Sequence, residues 1–205
     1  MGQSIKYIII DYGGVIIKLG KRQTKMPMIL SKQLKITEDA AKILWYNNRH
    51  QLITGKESLE SFGKKLHINS AERRIKFAEQ IRKNYLPKKN QVNWDLLRYL
   101  KSLSAKYKIY GFSNTIAVTP NKLQLDLDHY FIKVFKSYAE GHVKPDRAAF
   151  LNILRKIKAQ PSECVLIDDT DENIAMAEIL GMEAIKYTAL PALKKKLQLL
   201  KYPST

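Results

Sequence analysis

Cysteine is almost missing from this chain. Cys164 stands alone among 205 residues, so no intramolecular disulfide can form and a reducing, cytoplasmic compartment is expected. Glycine (9) and proline (7) are too sparse for a collagen-like repeat or a low-complexity linker, and no internal repeat is present. Long apolar runs are absent too. The stretch from Tyr7 to Ile17 is interrupted by Asp11 and by Gly13-Gly14, well short of the roughly 18 apolar residues of a membrane span, so no membrane partner is expected. The opening Met1-Gly2-Gln3-Ser4-Ile5-Lys6 lacks the basic-then-apolar layout of a secretion signal, and Lys6 stands where N-myristoylation wants Ser or Thr.

Acidic residues are the last scarcity, 19 Asp and Glu against 36 Lys and Arg for a net charge of +17. The excess is uneven. Residues 18–90 carry 18 basic and 6 acidic residues, a net of +12, which leaves +5 for the rest. Lys194-Lys195-Lys196 is the sole basic run, so most of this charge reads as solvated helix faces. Attraction of a small anionic substrate comes second, and nucleic acid is not the expected partner. What is present, 45% hydrophobic and 27% charged residues, suits a globular chain burying roughly 70% of its unfolded surface.

Lys6 to Ile10 is continuous and β-branched, the pattern of a strand buried on both faces, and it closes on Asp11 and a Gly-rich turn. Short apolar runs recur at Lys108–Phe112, Ile132–Phe135, Val165–Ile167 and Glu183–Lys186. Helically periodic segments separate them, which is the βαβ signature of a parallel sheet. Asp146–Ala159 puts Ala149, Phe150, Ile153, Leu154 and Ile157 at helical spacing behind Pro145, with Asp146 as the expected cap. Ile174–Leu180 reads as a helix closed by Gly181. The expected fold is α/β, a Rossmann-like parallel sheet with helices on both faces. Residues 18–90 are too long for one crossover and contain no strand-like run, so they read as an inserted helical cap. Its helices are expected at Ala40–Trp45 behind Thr37, at Glu57–Leu66 and at Ala71–Tyr85, with Pro87 marking the return and Trp45 and Tyr46 in its core. The division is therefore 1–17 with 91–205 as the core domain and 18–90 as the cap.

In an open parallel sheet, ligands bind outside the carboxyl ends of the strands. Four polar groups follow the apolar runs: Asp11-Tyr12-Gly13-Gly14-Val15, Ser113-Asn114-Thr115, Lys144-Pro145-Asp146, and Asp168-Asp169 with Asn173. Each has an ordinary reading: Asp11 as turn chemistry, Ser113-Asn114 as punctuation after a strand, Lys144 as a solvated cation, Asp168-Asp169 as a helix cap pair. His50, His67, His129 and His142 have no spacing that suits a metal, and Cys164 reads as packing.

Together these groups resemble the haloacid dehalogenase (HAD) superfamily, whose four motifs occur in this order around a Rossmann-like core with an inserted cap. The most specific portion is Gly141-His142-Val143-Lys144-Pro145-Asp146, followed about twenty residues on by Val165–Asn173. Within the family the chain is most similar to the helical-cap branch with a paired-aspartate fourth motif. That branch includes sugar-phosphate phosphatases such as the glucose-1-phosphate phosphatases and the phosphatase domain of soluble epoxide hydrolase.

The resemblance implies a phosphatase acting on a small phosphorylated metabolite through an aspartyl-phosphate. Asp11 is the implied nucleophile, with Lys144 and Ser113 as its catalytic partners. Ser113, Asn114, Lys144 and Gly14 are the implied substrate contacts. Mg²⁺ is the implied cofactor, held by Asp11, the Gly13 carbonyl and Asp169, with Asp168 either a further ligand or the partner of Lys144, and with Asn173 behind them. The hard oxygens and the compact cation of Lys144 suit a phosphate chemically, since carboxylate and phosphate repel unless cations stand between them. One position departs from the pattern. HAD phosphatases usually carry a second Asp two residues after the nucleophile as general acid, and here it is Gly13. His142, Glu140 and Tyr12 are the neighbouring candidates for a replacement proton donor. Two alternatives stand beside the phosphatase: a catalytically weak phosphate-binding protein with an anionic partner on the basic cap, and a metal-independent 2-haloacid dehalogenase.

Overall fold

In the computed structural model, which describes residues 4–18, 26–85, 87–117 and 127–200, the apolar runs pair side by side as strands. They are β1 (Tyr7–Asp11), β2 (Lys108–Ser113), β3 (Lys133–Lys136), β4 (Cys164–Asp168) and β5 (Glu183–Lys186). All pairings are parallel, in the order β3-β2-β1-β4-β5. The central strand β1 buries Ile8, Ile9 and Ile10 with exposures of 0–2%, which is why it is apolar throughout rather than alternating.

Period two then sorts the side chains onto opposite faces. Ile8 and Ile10 join Ile109, Val165 and Ile167 on one face, under α5 (Trp94–Leu103) and the C-terminal helix (Leu190–Leu199). Ile9 joins Phe112, Phe135 and Leu166 on the other, under the helices Arg147–Ile157 and Asp171–Ile179. In chain order, the helices among the described residues are α1 (Met26–Leu34), α2 (Glu38–Ile53), α3 (Leu59–Lys65), α4 (Ala71–Tyr85), α5, α6 (Ser137–Glu140), α7 (Arg147–Ile157), α8 (Asp171–Ile179) and α9 (Leu190–Leu199).

Helices α1 to α4 gather a third apolar cluster built on Leu30, Trp45, Phe62, Phe77 and Ile81, and Ile116 from the loop after β2 is buried in it. Where the chain leaves for this helical segment and returns from it, its two limbs pair. Lys18 N–H donates to Gln91 O, Asn93 N–H donates to Ile16 O, and Ile17 bridges Val92 antiparallel.

Several expectations need correction. Among the described residues the helical segment holds four helices rather than the three expected, the additional one being α1. Its apolar residues form an unbroken run, Met26 to Leu30, followed by Ser31-Lys32-Gln33 and Leu34, so a nine-residue helix shows no helical alternation of apolar and polar positions. Helix α2 runs on to Ile53, well past Trp45, and Tyr46 is 52% exposed while Trp45 is 5% exposed, so only the tryptophan is core. Asp146 sits at the N-cap of α7, but its side chain makes no capping bond. Helix α8 starts at Asp171, three residues before the expected Ile174, and this puts Asn173 in its first turn. The helically periodic segment expected between β2 and β3 falls mostly on residues 118–126, outside the described residues.

Candidate active site

Register brings the polar strand ends to one level. Asp11 pairs with Phe112, and Ile10 with Ile167, so Asp11 on β1, Ser113 on β2 and Asp168 on β4 all emerge at the same carboxyl edge. The chain crosses from one side of β1 to the other here, which is where an open α/β sheet leaves a crevice.

One ammonium organises the crevice. Lys144 Nζ donates to Asp11 Oδ1 and to Asp168 Oδ2, at 2.6 Å each, with its side chain 1% exposed. It also lies 4.8 Å from the centre of the Phe112 ring. The Lys144 backbone is clamped by Asn114, whose amide donates to Lys144 O (2.8 Å) and whose Oδ1 accepts from Lys144 N–H (2.9 Å). The peptide bond from Lys144 to Pro145 is cis. Asp168, fully buried, accepts from Asn173 Nδ2 at 3.0 Å on each oxygen and from Thr170 N–H at 3.0 Å. Asn114 and Asn173 therefore spend their side-chain amides on Lys144 and Asp168, holding the charged groups in place.

Asp169 is placed differently. Its carboxylate accepts a long contact from the Thr170 hydroxyl (3.4 Å) and is half-buried against the turn after β1. Gly14 forms that turn, with φ at +90°, and a Cβ there would lie 1.9 Å from Asp169 Oδ2. Glycine is thus required twice over, for the backbone and for the room. Gly14 is the residue with positive φ in this turn, and Gly13 is not. The bridge from Gly13 to Ile17 uses the Tyr12 and Ile17 carbonyls as acceptors and leaves the Gly13 carbonyl out.

Asp11, Asp168 and Asp169 each offer an oxygen within 4.8 Å of the others. Three carboxylates against one ammonium leave two negative charges. The protein groups answer accordingly. Burial, only partly opposed by Lys144 and reinforced by the charges of Asp168 and Asp169, pushes Asp11 up to about 7. Burial and the Asp168 charge push Asp169 up as well. For Lys144, burial alone would lower the pKa, but Asp11 and Asp168 outweigh it and the net direction is upward. A divalent cation suits this deficit. All the donors are hard oxygens, and their spread approaches the roughly 4 Å across an oxygen-coordinated Mg²⁺ site. The residues present therefore fit Mg²⁺.

Of the three neighbours considered as proton donors, none is poised over this crevice. The Tyr12 hydroxyl donates to Asp128 Oδ1 (3.1 Å) while its ring packs on Phe131. Glu140 is bound to Lys156 and to Asn152 (2.8 Å) on the side of α7, and it accepts an ion pair rather than holding a proton to give. His142 is solvent-exposed. Cys164 is buried at the start of β4, and burial pushes its thiol up to about 12, so it serves packing.

One side chain that the sequence does not single out meets the loop that follows β2. Tyr85, the last residue of α4, has its hydroxyl 3.5 Å from Thr115 Oγ1, and Asp11 is near enough for its charge to raise the phenol. Thr115 is itself fixed by the buried Ser137, whose hydroxyl accepts from Thr115 N–H (2.9 Å) and donates to Thr115 O (3.0 Å). No periodicity or spacing could have joined Tyr85 to Asp11, 74 residues earlier.

A strand-end carboxylate, a second acidic pair and a buried lysine converging on a parallel sheet define a hydrolase of the haloacid dehalogenase type. The model of the haloacid dehalogenase-like hydrolase family matches residues 5–181, and the chain belongs to that family. It is 28% identical over 193 residues to the D-ribitol-5-phosphate phosphatase of Bacteroides thetaiotaomicron, covering 89% of this chain and 91% of the relative. Among solved structures, a HAD-like family hydrolase from Porphyromonas gingivalis superposes with a TM-score of 0.71 at 24% identity, covering 96% of this chain and 99% of the other. A HAD family enzyme from Bacteroides thetaiotaomicron, solved in complex with magnesium and inorganic phosphate, superposes with a TM-score of 0.69 at 22% identity, covering 90% and 95%.

Proposed function

We propose that this hydrolase is a Mg²⁺-dependent phosphatase of small phosphate monoesters, with a sugar or polyol phosphate as its substrate. The observation that carries the reading is the deficit of two charges among Asp11, Asp168, Asp169 and Lys144. That arrangement suits a divalent cation together with a phosphate, and halide displacement has no use for it. The substrate class rests on the D-ribitol-5-phosphate phosphatase likeness, which extends over nearly all of both chains.

A Mg²⁺ held by oxygens of Asp11 and Asp169 and by the Gly13 carbonyl would supply charge neutralisation between nucleophile and phosphate. Asp11 attacks phosphorus with the carboxylate oxygen not held by Lys144, forming an aspartyl-phosphate as the ester oxygen departs. Lys144, fixed at 2.6 Å from Asp11 and Asp168, keeps the nucleophile aligned and offers positive charge to the phosphate oxygens. Ser113 binds a remaining phosphate oxygen, whereas Gly14, expected among the substrate contacts, has its N–H committed to Ile17 O (2.8 Å). Asp168, Asn173 and Asn114 hold the lysine, and water then cleaves the aspartyl-phosphate. Residues 18–90 act as a cap over the crevice, and their net +12 draws anionic substrates toward it.

The test is phosphate release from a panel of sugar and polyol phosphates with Mg²⁺ and with a chelator. Release from at least one of them, abolished by chelation, is expected. Release unaffected by chelation, or none from any phosphomonoester, contradicts the reading.

A further inference from the structure

The two limbs that join the helical segment to the sheet domain border a second, open recess, and we propose that it binds a mononucleotide, a phosphate and a planar base carried on one small molecule. The recess has a volume of about 580 Å³, and Lys18, Lys89, Val92, Trp94, Asp95 and Arg98 stand in its lining. None of them belongs to the crevice of Asp11, Lys144 and Asp168, so this site is independent of the phosphatase reading. Its frame is fixed. Lys18 N–H donates to Gln91 O (2.7 Å), tying the outgoing limb to the returning one. The turn Lys89–Gln91 is closed by Gln91, whose side-chain oxygen accepts from Lys88 N–H (2.9 Å) and whose N–H donates to Lys88 O (2.9 Å). The Trp94 indole N–H donates to Lys89 O (3.1 Å), which holds the half-buried ring against that turn.

The charges around the recess do not balance. Lys18, Lys89 and Arg98 are set against one acid, Asp95, which leaves a net charge of +2 in the lining. Asp95 is already taken by Arg98 at 2.5 Å. Lys18 and Lys89, one from each limb, are exposed, and among the described residues neither has an anionic partner. A phosphate monoester, with roughly two negative charges near neutral pH, matches that excess.

The apolar side of the lining selects among phosphates. Trp94 and the buried Val92 stand beside the cations, and an indole stacks on any nucleobase through its π-face. A sugar phosphate would use the lysines and leave the indole idle. An uncharged aromatic would do the reverse. A mononucleotide uses both, and the recess lies within the roughly 300–1,000 Å³ of sites for molecules of that size.

The measurement is the fluorescence of Trp94 in the full chain, taken as the difference between wild type and Trp94→Phe because Trp45 also emits. The probes are AMP, adenosine and inorganic phosphate, each titrated with a chelator present to withhold Mg²⁺. The expected result is a saturable change with AMP at a concentration at least about tenfold below that needed for adenosine or for phosphate. Replacing both lysines, Lys18→Gln with Lys89→Gln, is expected to weaken AMP by about tenfold or more, while Asp11→Asn leaves the titration where it was. No saturable change with AMP, or adenosine or phosphate acting as well as AMP, overturns the proposal, and so does AMP binding that survives loss of both lysines. A response lost in Asp11→Asn would put AMP in the catalytic crevice and overturn it too. A short single-stranded oligodeoxyadenylate that binds more than about tenfold tighter than AMP would assign the recess to a strand and overturn the mononucleotide. The comparison among AMP, adenosine and phosphate is made on native lysines and does not depend on how the lysine variant folds. Failure of the phosphatase reading appears in phosphate release and leaves these titrations unmoved.

Discussion

Two glycines with nearly the same backbone separate strain from function. Gly14 has φ at +90° and Gly141 has φ at +74°. A Cβ on Gly141 meets nothing within 4 Å, whereas on Gly14 it would lie 1.9 Å from Asp169 Oδ2 and 2.4 Å from Asp169 Cγ. Replacing either by alanine costs the left-handed strain of an L-residue, about 1–2 kcal/mol, or a fall in Tm of about 2–8 °C for a chain of this size. Only Gly14→Ala must also turn the Asp169 carboxylate out of its place beside Asp11. The expected result is that Gly141→Ala loses stability alone, while Gly14→Ala also needs at least about tenfold more Mg²⁺ for half-maximal activity, each tenfold being about 1.4 kcal/mol of binding. Thermal unfolding and Mg²⁺ titration of the two variants side by side make the comparison. A Gly14→Ala protein that titrates Mg²⁺ like wild type would show that Asp169 is no ligand and that the close approach is incidental packing.

Lys144→Met removes the cation between two buried carboxylates, so metal-free protein is expected to lose about 3–5 kcal/mol in denaturant unfolding. A loss below 1 kcal/mol would mean that the cluster does not depend on its lysine. A pH series tests the carboxylate trio. Asp11 lies at about 7 in the folded protein against 3.8 as the ordinary value, so its contribution to metal-free stability is fully present below about pH 4 and is lost as pH rises through about 7. Mg²⁺ competes with that proton. The Tm gain on adding Mg²⁺ is therefore expected to be small at pH 5.5 and to grow through pH 8, and a gain independent of pH would contradict the assignment.

The site was legible in the sequence to the extent that it is built from strand ends. Tyr7–Asp11 and Cys164–Asp168 announce themselves as apolar runs that stop at an aspartate, and parallel pairing in register does the rest. The resemblance in motif order supplied Lys144, which spacing alone could not place, since its side chain reaches β1 and β4 from a loop. The structure adds how the asparagines are used. In sequence Asn114 and Asn173 are indistinguishable from ligand-binding amides, because their bonds to the Lys144 backbone and to Asp168 form between segments distant in the chain or across a helix's first turn. Helix α1 was hidden because its apolar residues run continuously from Met26 to Leu30, with Pro27 in the first turn, and nine residues are too few to show a helical period. Tyr85 was hidden for a different reason, since its contact with Thr115 exists only once helices α1 to α4 have packed around Ile116.

The central claim is that Asp11 carries the phosphoryl group. Borohydride added during turnover reduces an acyl-phosphate to an alcohol and leaves free carboxylates untouched, so a trapped intermediate converts residue 11 to homoserine, which peptide mass spectrometry reads directly. The account predicts this conversion at position 11, dependent on both substrate and Mg²⁺ and absent from Asp11→Asn protein. Turnover without any such conversion, or conversion at Asp168 or Asp169 in its place, would contradict it.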